Sequence, residues 1–161
     1  MDGPIISGPL YWIDRQCSIE RSVMNTHAIA YVTVLAKIAG AQIVCNSSHN
    51  YYEIEDRLTG VRRDLRTDLV DWGMPSGLFH TEWRTTFPET RRMPTRRSHP
   101  RQHAIDLWLD ANGEHDWVAF DDEEFDVTGH HILINFEHGI DEVAFRKALS
   151  VWNLEFPFDP T

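Results

Sequence analysis

Two adjacent carboxylates, Asp121 and Asp122, follow an apolar run at residues 117–120 and precede two glutamates. An apolar run of this length predicts a buried strand, and open α/β sheets bind ligands beyond the carboxyl ends of their strands. Carboxylates this close together repel one another unless a cation or a proton relieves them, and Mg²⁺ takes carboxylate oxygens as ligands. The pattern therefore predicts a magnesium-binding pair, although a solvated acidic loop that caps a following helix would have the same composition.

Two other predicted strands also end in polar side chains. Asp14 follows the apolar run at residues 10–13, and Ser47 and Ser48 lie just after the run at 41–45. We expect these ends to converge with the acidic pair on one crevice, where a phosphoryl group could be transferred. The Asp14 carboxylate would attack phosphorus and form an aspartyl-phosphate. Ser47 would donate to a phosphoryl oxygen, and Asp14 and the acidic pair would share one Mg²⁺.

Predicted strands alternate with predicted helices along the chain. One helix is expected from a cap at Asn25 or Thr26 to a stop at Gly40, and the last begins at an Asp141 cap and covers residues 141–152. The other expected elements are strands at 10–13, 41–45, 78–80, 117–120 and 131–134, and helices over 104–109 and over 51–72 with an interruption near 59–60. This alternation predicts an α/β fold with a doubly wound, mostly parallel sheet and helices on both faces.

The composition predicts one cytoplasmic domain. A chain of 161 residues with 42% hydrophobic content can bury one sizeable core, so a single domain over residues 1–161 is expected. The cysteines, Cys17 and Cys45, have neither metal-ligand spacing nor a disulfide framework, which is typical of a reducing compartment. No apolar run approaches the roughly 18 residues that a membrane-spanning helix needs, so no membrane partner is expected.

The positive charge is concentrated in the middle of the chain. The net charge of −10 argues against non-specific nucleic-acid binding, but residues 57–101 contain ten arginines and only five acidic residues. The guanidinium fork of arginine suits bidentate contacts with phosphate. Residues 84–100, rich in Thr, Pro and Arg, predict a long exposed loop, and Trp83 at its start could stack on a nucleobase. Ordinary surface arginines and a core tryptophan are the plainer alternatives.

Three segments carry a resemblance to a known family. They are IAGAQIVCNSS at residues 38–48, RQHAIDLWLDANGEHDWVAFDDEEFD at 101–126 and HHILINFEHGIDEVAFRKAL at 130–149. With the Asp-ended first strand, their order resembles the haloacid dehalogenase (HAD) superfamily. In particular, it is similar to the small, nearly capless phosphatase domains attached to bacterial RNA-repair proteins. The resemblance implies a Mg²⁺ cofactor and a phosphorylated substrate, and Arg101 stands where a phosphate-binding Lys or Arg is usual.

The first motif departs from the family pattern. Gln16 stands where a second Asp normally protonates the leaving group, and an amide cannot donate a catalytic proton. General-acid assistance is typically worth about 10²–10⁴-fold, so substrates with good leaving groups, such as phosphoanhydrides, are favoured. One hypothesis is a phosphohydrolase for a nucleotide or polynucleotide phosphate, with Arg96 and Arg97 covering the substrate. The other is a catalytically degenerate HAD-like protein with a binding or regulatory role.

Overall fold

The computed structural model describes residues 25–46, 54–55, 62–86, 99–125, 130–135 and 138–157. The helices in these ranges are α1 (Thr26–Ala39), α2 (Leu65–Asp71), α3 (Pro100–Asn112) and α4 (Glu142–Val151), with a short 3₁₀ turn at Ser76–Leu78. The strands are β1 (Ile43–Cys45), β2 (Ile54–Glu55), β3 (Arg62–Arg63), β4 (Phe79–Arg84), β5 (Ala119–Asp121) and β6 (His131–Leu133). None of the helices in these ranges is long and apolar enough to cross a bilayer.

The predicted caps of α1 are confirmed. The Asn25 side-chain oxygen accepts hydrogen bonds from the backbone N–H groups of His27 and Ala28, which satisfies donors that have no partner inside the helix. At the other end, Gly40 has a φ of 62°, a left-handed conformation that glycine adopts without steric cost. The Asn25 amide also donates to the carbonyl of His138, so the cap ties the start of α1 to the segment before α4.

The strands confirm an α/β fold with parallel pairing. β1 pairs with β4 in parallel, with Ile43 opposite Phe79, and β5 pairs with β6 in parallel, with Phe120 opposite Ile132. Among the described residues these are separate two-stranded pairings. The doubly wound sheet therefore stays a prediction, and the predicted strand at residues 10–13 lies outside the described residues.

The predicted helix over residues 51–72 is correct over α2 and wrong at residues 54–55 and 62–63. Among the described residues of this range, helical structure is confined to α2, which begins where Asp64 caps it by accepting from the Thr67 N–H. Upstream, β2 pairs with β3 in antiparallel fashion, with Glu55 opposite Arg62. Thr59 and Gly60, interpreted from sequence as an interruption of a helix, lie outside the described residues.

Helix α3 begins earlier than expected. The prediction covered residues 104–109, whereas α3 starts at Pro100, and the His99 ring caps it by accepting from the Arg101 N–H. Proline is well suited to the first helical position, since its fixed φ is already helical and its missing N–H would have no partner there. The early start matters because it places Arg101 in the first turn of a helix.

Helix α1 packs against two hydrophobic clusters. Ala28 and Leu35 belong to a cluster with α4 and β6, in which Phe145 is fully buried and lies 5.2 Å from the Tyr31 ring. Ile29 belongs to a second cluster, with Cys45, Leu69, Met74 and Phe79 from β1, α2 and β4. One helix thus contacts the cores beside both parallel pairs.

The Asn25 cap should be worth measurable stability. We expect Asn25→Ala to lower the free energy of unfolding by about 1 kcal/mol, since capping side chains contribute roughly 0.5–2 kcal/mol. Urea denaturation followed by tryptophan fluorescence measures this change. Thr26→Ala, at the exposed neighbouring position, is the matched control and should change stability much less. Equal effects of the two substitutions would show that the cap is not responsible.

Candidate functional site

The ends of four elements meet around one buried arginine. Asn46 follows β1 and Thr85 follows β4, while Asp121 is the last residue of β5. Arg101 reaches these strand ends from the first turn of α3. Because β1 and β4 are parallel, as are β5 and β6, these side chains lie at carboxyl ends, where α/β proteins bind their ligands.

Arg101 and Asp121 form a buried ion pair. Their residues are 6% and 4% exposed, and Arg101 Nη1 lies 3.1 Å from Asp121 Oδ2. The other carboxylate oxygen, Oδ1, accepts a hydrogen bond of 3.0 Å from the Glu123 N–H. The backbone carbonyl of Asp121 accepts from the Ile134 N–H. Both oxygens of the carboxylate are therefore held in place, as a preformed charged site requires.

Asn46 joins the strand ends to the helix. Its carbonyl accepts a 2.7 Å hydrogen bond from Arg101 Nη1, and its side-chain amide donates to the Arg101 carbonyl at 3.2 Å. The side-chain oxygen of Asn46 accepts from Thr85 Oγ1 at 2.7 Å, and the Thr85 N–H donates to the carbonyl of Cys45. This one residue thus fixes the start of α3 against β1 and β4.

Burial is the largest influence on the pKa of Asp121. Loss of solvation raises its pKa to about 6, against the lowering effects of the Glu123 N–H and of the Arg101 guanidinium, while Asp122 and Glu123 add a smaller upward contribution. The carboxyl group is therefore ionised at neutral pH but gains a proton far more readily than an exposed aspartate. A cation that approached this group would find its charged form already predominant.

A second layer of contacts surrounds the ion pair. Glu123 Oε2 lies 3.7 Å from Arg101 Nε and 3.4 Å from His99 Nε2. The His99 ring stacks on Phe125 with centroids 5.5 Å apart. Glu123 and His99 are partly exposed. This layer therefore lies between the buried pair and solvent.

The acidic pair has the donor chemistry of a magnesium site. One oxygen of Asp122, Oδ1, is buried and has no hydrogen-bond partner among the described residues, although a buried oxygen without a partner is costly. It adjoins Asp121, and hard carboxylate oxygens are what Mg²⁺ prefers. Within the described ranges, no group of three or more His, Cys, Asp or Glu side chains is arranged to hold a metal. The pair thus fits Mg²⁺ but needs at least one further ligand.

A cleft of about 650 Å³ lies against β1, β5 and the ion pair. Each of these strands pairs on one side, with β4 and with β6, and no described strand pairs with its second edge. Residues of both strands line the cleft, as do Asn46, Arg101 and Asp121. Cys45 lines it too, but burial raises the pKa of its thiol to about 12, which makes it a poor nucleophile.

The structure brings together some of the residues singled out from sequence. Arg101 and Asp121 are in direct contact, and Asp122 is adjacent. The other predicted site residues lie outside the described residues: Asp14, Gln16, Ser47, Ser48, Arg96 and Arg97. Asn46 and Thr85 were missed. Asn46 could have been predicted from sequence, because it immediately precedes the serines at a predicted strand end. Thr85 could not have been predicted, because the third strand was expected to end at residue 80.

Comparison with known proteins gives one match. A family model described as the HAD domain in Swiss Army Knife RNA repair proteins matches residues 1–145, which is most of the chain and includes every residue of the network around Arg101. No curated protein and no solved structure matches the chain.

The raised pKa of Asp121 predicts a pH-dependent stability. Because the carboxyl binds a proton more tightly in the folded state, its contribution is greatest below its ordinary value of 3.8 and is lost as the pH rises through about 6. The free energy of unfolding of the wild type, minus that of Asp121→Asn, should fall by up to about 3 kcal/mol from pH 3.5 to 7. Denaturation in EDTA across this range measures the difference. A difference that rises with pH would show that attraction to Arg101 outweighs desolvation.

Proposed function

Because the chain belongs to the family of HAD domains in Swiss Army Knife RNA repair proteins, we propose that it is a Mg²⁺-dependent phosphohydrolase. Its substrate would be a nucleotide or polynucleotide phosphate, hydrolysed through an aspartyl-phosphate. The observation that carries the proposal is the buried Arg101–Asp121 pair at the carboxyl ends of the strands. Such a pair supplies a fixed guanidinium for phosphate and a fixed carboxylate for a metal.

We propose Asp14 as the nucleophile, delivered by a strand at residues 10–13. The cleft supports this placement, since residues of β1 and β5 line it, most of its described lining is apolar, and no described strand pairs with the second edge of either strand. A strand there, followed by α1 and then β1, would be a β–α–β unit, and right-handed connections of this kind set consecutive parallel strands side by side. The strand would complete a doubly wound sheet, with Asp14 beside Asn46 and Asp121.

The remaining roles follow from this arrangement. Arg101, Ser47 and Ser48 would bind the phosphoryl oxygens, and the Asp14 carboxylate would attack phosphorus as the leaving group departs. Water would then hydrolyse the acyl phosphate and regenerate Asp14. Arg96 and Arg97 would cover the substrate.

Asp14, Asp121 and Asp122 would hold Mg²⁺, which supplies charge stabilisation for the transferring phosphoryl group. The local charge supports this cofactor. Asp121 and Glu123 both contact the Arg101 guanidinium, and Asp122 adjoins Asp121 in the chain. An incoming phosphate would meet net negative charge there, and a divalent cation offsets this repulsion. Phosphate binding should therefore depend on the metal.

Gln16 is the feature that favours the alternative, a catalytically degenerate binding or regulatory protein. The amide cannot protonate a leaving group, and the loss matters most for alkoxides. A phosphoanhydride leaves without much help, so such a substrate reconciles Gln16 with catalysis. The Arg101–Asp121 pair also supports the enzyme, because it keeps a guanidinium for phosphate beside a carboxylate for the metal.

The nucleophile assignment predicts Mg²⁺-dependent turnover of an aryl phosphate that disappears in Asp14→Asn. An amide is a far poorer nucleophile than a carboxylate, so the variant should lose at least about 10³-fold in kcat. Release of p-nitrophenol with and without EDTA measures both dependences. Asp110→Asn, at an exposed position on α3, is the matched control and should retain activity. Equal turnover in EDTA, or an active Asp14→Asn variant, would refute the assignment.

The missing acid gives a separate prediction. Gln16→Asp should raise turnover of alkyl phosphates by about 10²-fold or more, since it restores general-acid assistance to a poor leaving group. Turnover of the aryl phosphate should change much less. Both assays need saturating Mg²⁺, because an added carboxylate increases local repulsion. If neither protein hydrolyses either substrate, the hydrolase proposal fails and the binding protein becomes the better account.

A further inference from the structure

A small hollow lies between α2 and the end of β4. Its volume is about 320 Å³, which leaves room for one nucleobase. It is lined by Asp64, Arg66, Thr67, Val70, Asp71 and Trp83. Trp83 is the aromatic residue of this lining and comes from β4, whereas the others belong to α2 or its cap.

Trp83 packs against the core and has one guanidinium group, that of Arg84, over its ring. It is half-buried and packs against the second core cluster, with its ring edge-on to Phe79 at 6.5 Å. The Arg84 guanidinium carbon lies 5.6 Å from the Trp83 ring centroid, and that of Arg66 lies 5.3 Å from the Phe79 ring centroid. Aromatic and guanidinium faces of this kind stack on nucleobases in single-stranded nucleic acids.

The charge of the lining favours a base rather than a phosphate. Among the described residues, two carboxylates, Asp64 and Asp71, line the hollow with one guanidinium, Arg66. A phosphate would be repelled by this balance, whereas a neutral base would not. Affinity in the hollow would therefore come mainly from stacking, with little dependence on salt.

The hollow is close to the candidate phosphate site. Trp83 precedes Thr85 by two residues in the chain, which corresponds to roughly 6–7 Å along an extended backbone. Thr85 bonds to Asn46, and Asn46 bonds to Arg101. A nucleotide whose phosphate is near Arg101 could thus extend its own base, or that of its neighbour, to Trp83.

We propose that this hollow is a nucleobase subsite, in which Trp83 stacks on a base next to the terminal phosphate of a single-stranded RNA. The proposal rests on the proposed function for the position of the phosphate, and on the RNA repair family for the choice of RNA. Trp83 would set the preference for this substrate over a free phosphate ester.

The test compares binding of short single-stranded RNAs that carry a terminal phosphate, at the 5′ or the 3′ end, with matched RNAs whose two end nucleotides lack bases. Fluorescence anisotropy is measured with Mg²⁺ in the Asp14→Asn background, so that the ends are not hydrolysed. Trp83→Ala should weaken binding of the intact RNA by roughly 5- to 100-fold, the range expected for one stacked base. It should leave the abasic RNA unaffected.

Two further variants separate stacking from folding. Trp83→Phe keeps an aromatic face and should retain most of the affinity even if Trp83→Ala folds poorly. Trp72→Ala is the matched control, because Trp72 is 37% exposed and is not part of the lining, and it should bind like the parent.

Two outcomes would overturn the subsite. In one, Trp83→Phe weakens binding of the intact and abasic RNAs equally. In the other, Trp83→Ala is folded and binds the intact RNA as tightly as the parent. If binding depends on Trp83 but the wild type hydrolyses no phosphate, the subsite stands and the phosphohydrolase fails. If the wild type hydrolyses aryl phosphate but its affinity for RNA does not change when Trp83 is substituted, the subsite fails and the phosphohydrolase stands.

Discussion

The ion pair between Arg101 and Asp121 is the contact on which the arrangement of the site depends. It joins the first turn of α3 to the end of β5, and through the Asn46 carbonyl it also reaches the end of β1. Removing one partner of a buried pair typically costs about 3–5 kcal/mol, because the other charge is left uncompensated. The strand ends and the helix are therefore fixed relative to one another by the same charges that could bind a ligand.

The chemistry of the site follows from how those charges are balanced. Arg101 is flanked by Asp121 and Glu123, and Asp122 contributes an oxygen with no hydrogen-bond partner among the described residues. Desolvation raises the pKa of Asp121, which is the expected effect of burying a carboxylate whose neighbours include other acids. A divalent cation would relieve this excess of negative charge. In our proposal it would also admit a phosphate that the acids would otherwise repel, so the metal and the substrate would bind together rather than separately.

Local signals made much of the fold predictable. Asn25 and Gly40 marked both ends of α1, and Asp141 marked the start of α4, because caps act through neighbouring backbone groups. The antiparallel pairing of β2 with β3 was missed, since short strands are stabilised by partners that a local pattern does not reveal. For the site, Arg101 and Asp121 were assigned separate roles, with phosphate and with metal. Their contact spans twenty residues of sequence and depends on how α3 packs over the strand ends, which residue types alone cannot specify.

The central claim is that the strand ends around Arg101 form a phosphoryl-transfer site with Asp14 as its nucleophile. Mass spectrometry of the wild-type protein, quenched in acid during turnover of a phosphorylated substrate and then digested, tests this most directly. The account predicts one phosphoryl group, present only when Mg²⁺ was supplied, on the peptide that contains Asp14 and at the Asp14 side chain. A phosphoryl group on any other residue, or hydrolysis without a phosphorylated protein under conditions that trap acyl phosphates, would contradict it.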